Sequence, residues 1–183
     1  VSTLDHAVHS GSFGGPVPDA LTTLCRLLGT LHDGLDPLQE ALDRGALMRP
    51  AEALGAMDEA RDITLAYLKT REQFGQKIGT FQALQHRMVD MAIACEEARA
   101  IVYAAAAQID ADPRTRALAV SAAKVRAGQN ALFVGHQAVQ LHGGIGTSDE
   151  LIISHYLKRL GRIESSFGNT AYHRARYARL SQQ

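Results

Sequence analysis

The sequence has no tryptophan in its 183 residues, and aromatic residues make up 5% of it. Sheet-built domains draw on aromatic and β-branched side chains to fill a pleated face. Their scarcity, with alanine at about one residue in six, points to helices. There are two cysteines, Cys25 and Cys95. Two thiols cannot build a disulfide framework, and they suit a reducing compartment, so a cytoplasmic location is expected. No apolar run approaches the roughly 18 residues of a membrane span. Charge of either sign is not in excess: 19 basic side chains balance 19 acidic ones, with a pI of about 7.2. A nucleic-acid or anionic-membrane surface needs a basic surplus, so neither partner is expected. The first residues carry no basic stretch of the kind that opens a secretory signal. P-loop, G-x-S-x-G and kinase signatures are missing. Of the eight histidines, His86, His136, His142, His155 and His173 fall on expected helices or helix ends. None pairs at zinc-protease spacing and no cysteine joins them at finger spacing, so no metal site is expected.

What is present reads as a folded chain, 46% hydrophobic and 21% charged. Residues 1–35 read as a loop-rich tail: SGSFGGPVPD (10–19) is Gly/Pro/Ser-rich, and LTTLCRLLG (21–29) is a short apolar run. From 36 to 183 the pattern is helical. PLQEALDRGAL gives a short helix, and Pro50 fits the first turn of the next. There Leu54, Met57, Arg61, Thr64 or Leu65, and Leu68 step by three or four residues along one face. That helix should end near REQFGQKIG, at Gly75 and Gly79. A long helix over 81–111 carries the stripe Leu84, Met88, Met91, Cys95, Ala98, Ile101 or Val102, and Ala105. A second long helix over 114–144 ends at Gly143-Gly144. Thr147-x-x-Glu150 has the form of a capping box opening a helix from about Asp149 to Arg162. ESSFGN (164–169) is a loop before a last helix, TAYHRARYARL. Two long helices joined by short turns to others describe an all-α, antiparallel four-helix bundle with short extra helices.

Three constellations have chemical potential. Arg71-Glu-Gln-Phe-Gly75 places a forked cation beside an amide and an aromatic ring at a helix end. That set can grip a phosphate, and it is equally an ordinary inter-helix turn. Gln140-Leu-His-Gly-Gly-Ile-Gly-Thr147 offers glycine backbone that a ligand can approach closely, or simply a helix stop. Lys158, Arg159, Arg162, Arg174, Arg176 and Arg179 form a basic C-terminal stretch, read as a solvated helical surface with some capacity to meet nucleotide phosphates.

Taken together these segments resemble one family. YLKTREQFGQKIGTFQALQHRMVDM (67–91) is similar to the C-terminal helical domain of acyl-CoA dehydrogenases. QLHGGIG (140–146) resembles that family's second signature. HYLKRL…FGNTAYHRARYA (155–178) resembles the small subunits of pimeloyl-CoA-type dehydrogenases and the heteromeric dehydrogenases of steroid side-chain breakdown. The resemblance covers roughly residues 27–182.

The resemblance implies FAD as cofactor and α,β-dehydrogenation of an acyl-CoA. A carboxylate takes the α-proton and a hydride leaves the β-carbon for the flavin. Arg71, Gln73 and Phe74 would contact the pyrophosphate region of a neighbouring subunit's FAD. Gln140, Gly143 and Gly144 would touch its adenosine end, and Thr170 would meet the chain's own flavin. It also implies a homo- or hetero-oligomer, dimer or tetramer, and electron-transfer flavoprotein or a similar acceptor. Two departures stand out. Gly168 sits where many members carry the catalytic Glu, and the other position used for the base falls near Gly45, with Asp43 and Glu52 close by in sequence. The family's preceding β-domain is also not in residues 1–35, beyond LCRLLG resembling its end. The chain is therefore expected to be about half of a flavoenzyme subunit, inactive in isolation. The alternative is a structural or interaction module, or a non-catalytic partner subunit that no longer binds flavin.

Overall fold

The structure, a computed structural model, describes residues 36–182. The expectations for the 1–35 tail, Cys25 among them, lie outside the described residues. Helix α1 spans Asp36–Thr70, followed by a two-stranded antiparallel hairpin, β1 (Glu72–Gln73) and β2 (Gln76–Lys77), and a 3₁₀ turn Ile78–Thr80. Then come α2 (Gln82–Ala107), α3 (Pro113–His142), a second 3₁₀ turn Gly143–Thr147, α4 (Ile152–Ser165) and α5 (Thr170–Ser181). Asp43–Gln183 is one compact unit. The class is all-α, as composition implied.

Helix α3 is the hub of that unit, with α2, α4 and α5 packed on it. Its inward residues are small: Ala117, Val120, Ala123, Ala127, Ala131, Val134 and Ala138 are all buried. Small side chains let neighbouring helices come close, and that closeness replaces aromatic bulk as the source of dispersion contacts. The larger plugs come from the surrounding helices: Met57 and Leu68 of α1, Met91 of α2, and Ile153 and Leu160 of α4, each fully buried. Such side chains contribute about 1.5–3 kcal/mol each. The α2 stripe resolves as Met91, Cys95, Ala98, Val102 and Ala105 inward, with Leu84, Met88 and Ile101 half-buried. On α1, Thr64 takes the buried place and Leu65 faces out.

Two local expectations are corrected. Pro50 does not open a helix; it lies inside the continuous α1. Its ring removes the bond to the Ala46 carbonyl, and tertiary packing of the long helix outweighs that loss. The capping box at Thr147 does not form. The Thr147 hydroxyl donates back to the Gly144 carbonyl at 2.9 Å, and α4 starts after Leu151, which makes no side-chain cap. The first long helix ends at Thr70, just before REQFGQKIG as expected, and the turn that follows is a hairpin. Elsewhere the signals hold. Asp112 caps α3, accepting from the backbone N–H groups of Arg114 and Thr115, and Pro113 follows it. Gly143, with φ 66°, ends α3.

Candidate functional site

The hairpin after α1 is tightly made. Phe74 and Gly75 form its two-residue turn, and both have positive φ, 56° and 76°. That is the twist a hairpin turn demands, but the left-handed region costs a residue with a Cβ about 1–2 kcal/mol. Phe74 accepts this cost while its ring stands 89% exposed, touching only the edge of Phe81 at 6.1 Å. Arg71 and Gln73 are exposed beside it. The Arg71 backbone is anchored at both ends: its N–H donates to the Tyr67 carbonyl and its carbonyl accepts from Ile78 N–H.

The end of α3 meets the same end of α1. The His142 ring stacks on Tyr67 with centroids 4.4 Å apart, and its Nδ1 bonds the Ala138 carbonyl at 2.8 Å. Gln140, Gly143 and Gly144 are exposed next to it. Nothing lies within 4 Å of where a Cβ would stand on Gly143 or Gly144, so their backbone is open to a ligand. Six of the seven residues named from the sequence therefore share one end of the bundle. Thr170 does not join them. It packs by Gly128, with its Oγ1 3.7 Å from a Cβ built there. Gly128 is 14 residues from His142 along α3, or about 21 Å.

Around Thr170 lies a second candidate surface. The loop after α4 turns through Phe167 (φ 57°) and Gly168 (φ 96°). The Phe167 ring lies on Gly45: its Cε1 is 2.7 Å from where a Cβ would stand. A Cβ on Gly168 would lie 2.4 Å from Cδ1 of Tyr172. The structure thus brings together the two positions where a base was sought, and both are filled by aromatic rings. An open groove of about 580 Å³ beside them is lined by Gly45, Met48, Arg49, Ala51, Glu52 and Phe167. Arg49 lies over the Phe167 ring at 5.6 Å.

The two acids near Gly45 are both tied up. Asp43 is 1% exposed, and its carboxylate accepts from both terminal nitrogens of Arg176, at 2.6 and 3.0 Å, with Arg116 at 3.8 Å. It is sealed in the interior. Glu52 accepts from Arg159 and from Arg49. The Arg159 hydrogen bond, with Arg49 behind it, holds the Glu52 carboxyl below its ordinary range, which weakens it as a base. The basic C-terminal stretch is exposed, as read, at Lys158, Arg159, Arg162, Arg174 and Arg179, and the reading is corrected at Arg176 alone. Arg176 is a buried structural charge, and Arg159 and Lys158 are paired with Glu52 and Asp149.

The sequence reading missed Lys124 and His173, both buried beneath the closing loop. A signal existed for Lys124: it interrupts the apolar stripe of Val120, Ala127 and Ala131 on α3. His173 carries no comparable mark. Among the described residues, no group of three or more metal-ligating side chains comes together, and no helix is long and apolar enough to cross a membrane.

The comparisons with known proteins bear on the whole bundle. Residues 32–181 match the family described as acyl-CoA dehydrogenase, C-terminal domain. Acyl-CoA dehydrogenase IpdE2 of Mycolicibacterium smegmatis is 39% identical over 144 residues, 79% of this chain and 44% of the relative. A Tcur3481–Tcur3483 steroid dehydrogenase of the same family superposes with a TM-score of 0.75 at 34% identity, covering 79% of this chain and 40% of that one. Butyryl-CoA dehydrogenase of Megasphaera elsdenii superposes with a TM-score of 0.76 at 28% identity, covering 82% of this chain and 39% of that one. The chain therefore spans less than half the length of these relatives. A match over most of the bundle, in sequence and in backbone, makes this chain a member of the acyl-CoA dehydrogenase family, corresponding to its C-terminal domain.

Proposed function

We propose that this chain completes FAD sites across subunit interfaces of an oligomeric acyl-CoA dehydrogenase and does not itself supply the catalytic base. The observation that carries the reading is the division of its candidate residues into two patches about 21 Å apart along α3. Two separated patches suit service to two different flavins. At the first, Arg71 donates to pyrophosphate oxygens, with Gln73 as a further donor. Phe74 offers an apolar face, and the strain of its turn is the kind retained where a side chain must be displayed. Gln140 and the open backbone of Gly143 and Gly144 take the adenosine end. At the second, the Thr170 hydroxyl meets a polar flavin edge. When bound, FAD supplies the hydride acceptor.

Proton removal from the α-carbon needs a carboxylate near the thioester. Gly168 and Gly45 offer none, Asp43 is sealed in an ion pair, and Glu52 is held by two arginines. The base, and most of the acyl-CoA site, then come from elsewhere in the assembly, with electron-transfer flavoprotein or a similar protein as acceptor. The test is flavin retention and turnover by the chain alone and with a candidate partner subunit. FAD is expected to be retained only in the mixed assembly, and Arg71→Ala should weaken it. Full turnover by the chain alone would overturn the base assignment. An assembly that forms normally without flavin would favour a purely structural module.

A further inference from the structure

The loop that carries Phe167 and Gly168 is held by two buried side chains on different helices. Lys124 of α3 is 2% exposed, and its Nζ donates to three carbonyls: Ile163 at 3.1 Å, Glu164 at 3.0 Å and Ser166 at 2.7 Å. An ammonium has three protons, and all three are committed here. It also lies where the carbonyls ending α4 concentrate negative potential. His173 of α5 is 1% exposed and its Nε2 is 3.0 Å from the Phe167 carbonyl. Its Nδ1 is 3.3 Å from the Ser121 hydroxyl, which itself lies 3.5 Å from Arg176 Nη1.

These contacts orient one another. A guanidinium only donates, so the Ser121 oxygen accepts from Arg176 and its hydroxyl proton goes to His173 Nδ1. The Phe167 carbonyl only accepts, so the His173 proton is on Nε2 and is donated to it, and burial, which pushes His173 below its ordinary range, keeps the ring neutral. The chain runs from the Asp43–Arg176 pair through Ser121 and His173 to the loop. Glu164 closes the other side, its carboxylate accepting from the Thr170 N–H at 2.8 Å.

We propose that Lys124 and His173 are the positioning residues of this loop, holding two carbonyls at the end of α4 and two in the loop so that Phe167 lies on Gly45 and Thr170 is presented at a fixed place. The role of Thr170 toward flavin rests on the function proposed above; the clamp itself does not. Neutrality of His173 is part of the clamp. The charged and titratable groups facing it are Lys124 of α3, Arg176 and the edge-on Tyr172 ring of α5, and Asp43 of α1; Arg116 of α3 pairs with the same Asp43, and Glu164 of α4 faces Lys124. A proton on Nδ1 would remove the acceptor for Ser121 and add a cation beside Lys124 and Arg176. Acidification therefore breaks the Ser121 bond and sets an imidazolium against Lys124 and Arg176, which loosens the loop even though Nε2–H still donates to the Phe167 carbonyl.

Two flavin-free measurements on the full chain test this. The first is the His173 tautomer, read from long-range ¹H–¹⁵N correlations near neutral pH. The proton is expected on Nε2; a proton on Nδ1, or a charged ring, overturns the clamp. The second uses the lack of tryptophan: Phe167→Trp is a single indole reporter. Its emission should move to longer wavelength as pH falls from about 7.5 to about 4, with the change centred below the ordinary histidine value because burial pushes His173 down. Adding His173→Gln, which donates but does not titrate, should hold the neutral-pH emission throughout. His173→Ala and Lys124→Met should each show the released emission at neutral pH. A flat profile with histidine in place, or Lys124→Met leaving the emission unmoved, refutes the positioning role. Failure of FAD retention with the tautomer as expected would count against the proposed function and leave the clamp standing.

Discussion

Replacing Asp43 by asparagine should be among the most damaging single changes in the bundle. The side chain is 1% exposed and carries two buried guanidiniums, Arg176 through both terminal nitrogens and Arg116 at 3.8 Å. Removing its charge leaves those cations in a poorly solvated interior. Breaking a buried pair from one side costs about 3–5 kcal/mol. Total stability of a domain is about 5–15 kcal/mol, so the loss is a large share. At about 2–4 °C per kcal/mol for a chain of this size, the melting temperature should fall by roughly 6–20 °C. Thermal and urea unfolding followed by far-ultraviolet circular dichroism measures it. Arg176→Met should cost less, because Asp43 keeps Arg116. The double variant should lose clearly less than the sum of the two single losses, since the two groups share one contact. If Asp43→Asn costs under about 1 kcal/mol, the value of an exposed pair, the description of this cluster as a buried charge network is wrong.

Other outcomes follow from the geometry. Gly168→Ala should destabilise the chain by at least about 1–2 kcal/mol, because φ is 96° and its Cβ would press on Tyr172; for the same reason Gly168→Glu alone should not create turnover in a flavin-loaded assembly. Phe74→Asn builds an Asn-Gly turn suited to positive φ, so it should raise stability by about 1 kcal/mol in a thermal melt while weakening FAD retention. Burial pushes Lys124 down to about 8 from an ordinary 10.5. The folded state thus releases this proton first, and its contribution to stability grows from about pH 8 toward 10.5. Burial pushes Cys95 up to about 11 from 9.0, so its contribution is lost between those values. Urea unfolding at pH 8, 9 and 10 on Lys124→Met and Cys95→Ala separates the two slopes.

The legible part of this protein is what local chemistry determines. Alanine content and three-to-four spacing mark α2 and α3, and Asp112-Pro113 and Gly143 mark where α3 begins and ends, because caps and breakers act within one turn. The family motifs are legible for a related reason: Arg71, Gln73, Phe74, Gln140, Gly143 and Gly144 sit in short contiguous segments. What no local rule settles is which segments meet. Pro50 inside α1 and the unformed cap at Thr147 show packing overruling local preference. Arg176 reads as surface charge in sequence, yet it is buried because Asp43, 133 residues earlier, is brought against it. The closing loop makes the same point. The residues that hold it, Lys124 and His173, come from α3 and α5, and the ring that fills the place of a base at Gly45 comes from Phe167. The sequence alone determined the two long helices α2 and α3 and the segments that carry the candidate residues. Tertiary structure decided that those segments form two separate patches, and that both base positions are closed, because burial and close approach depend on distance in space and not along the chain.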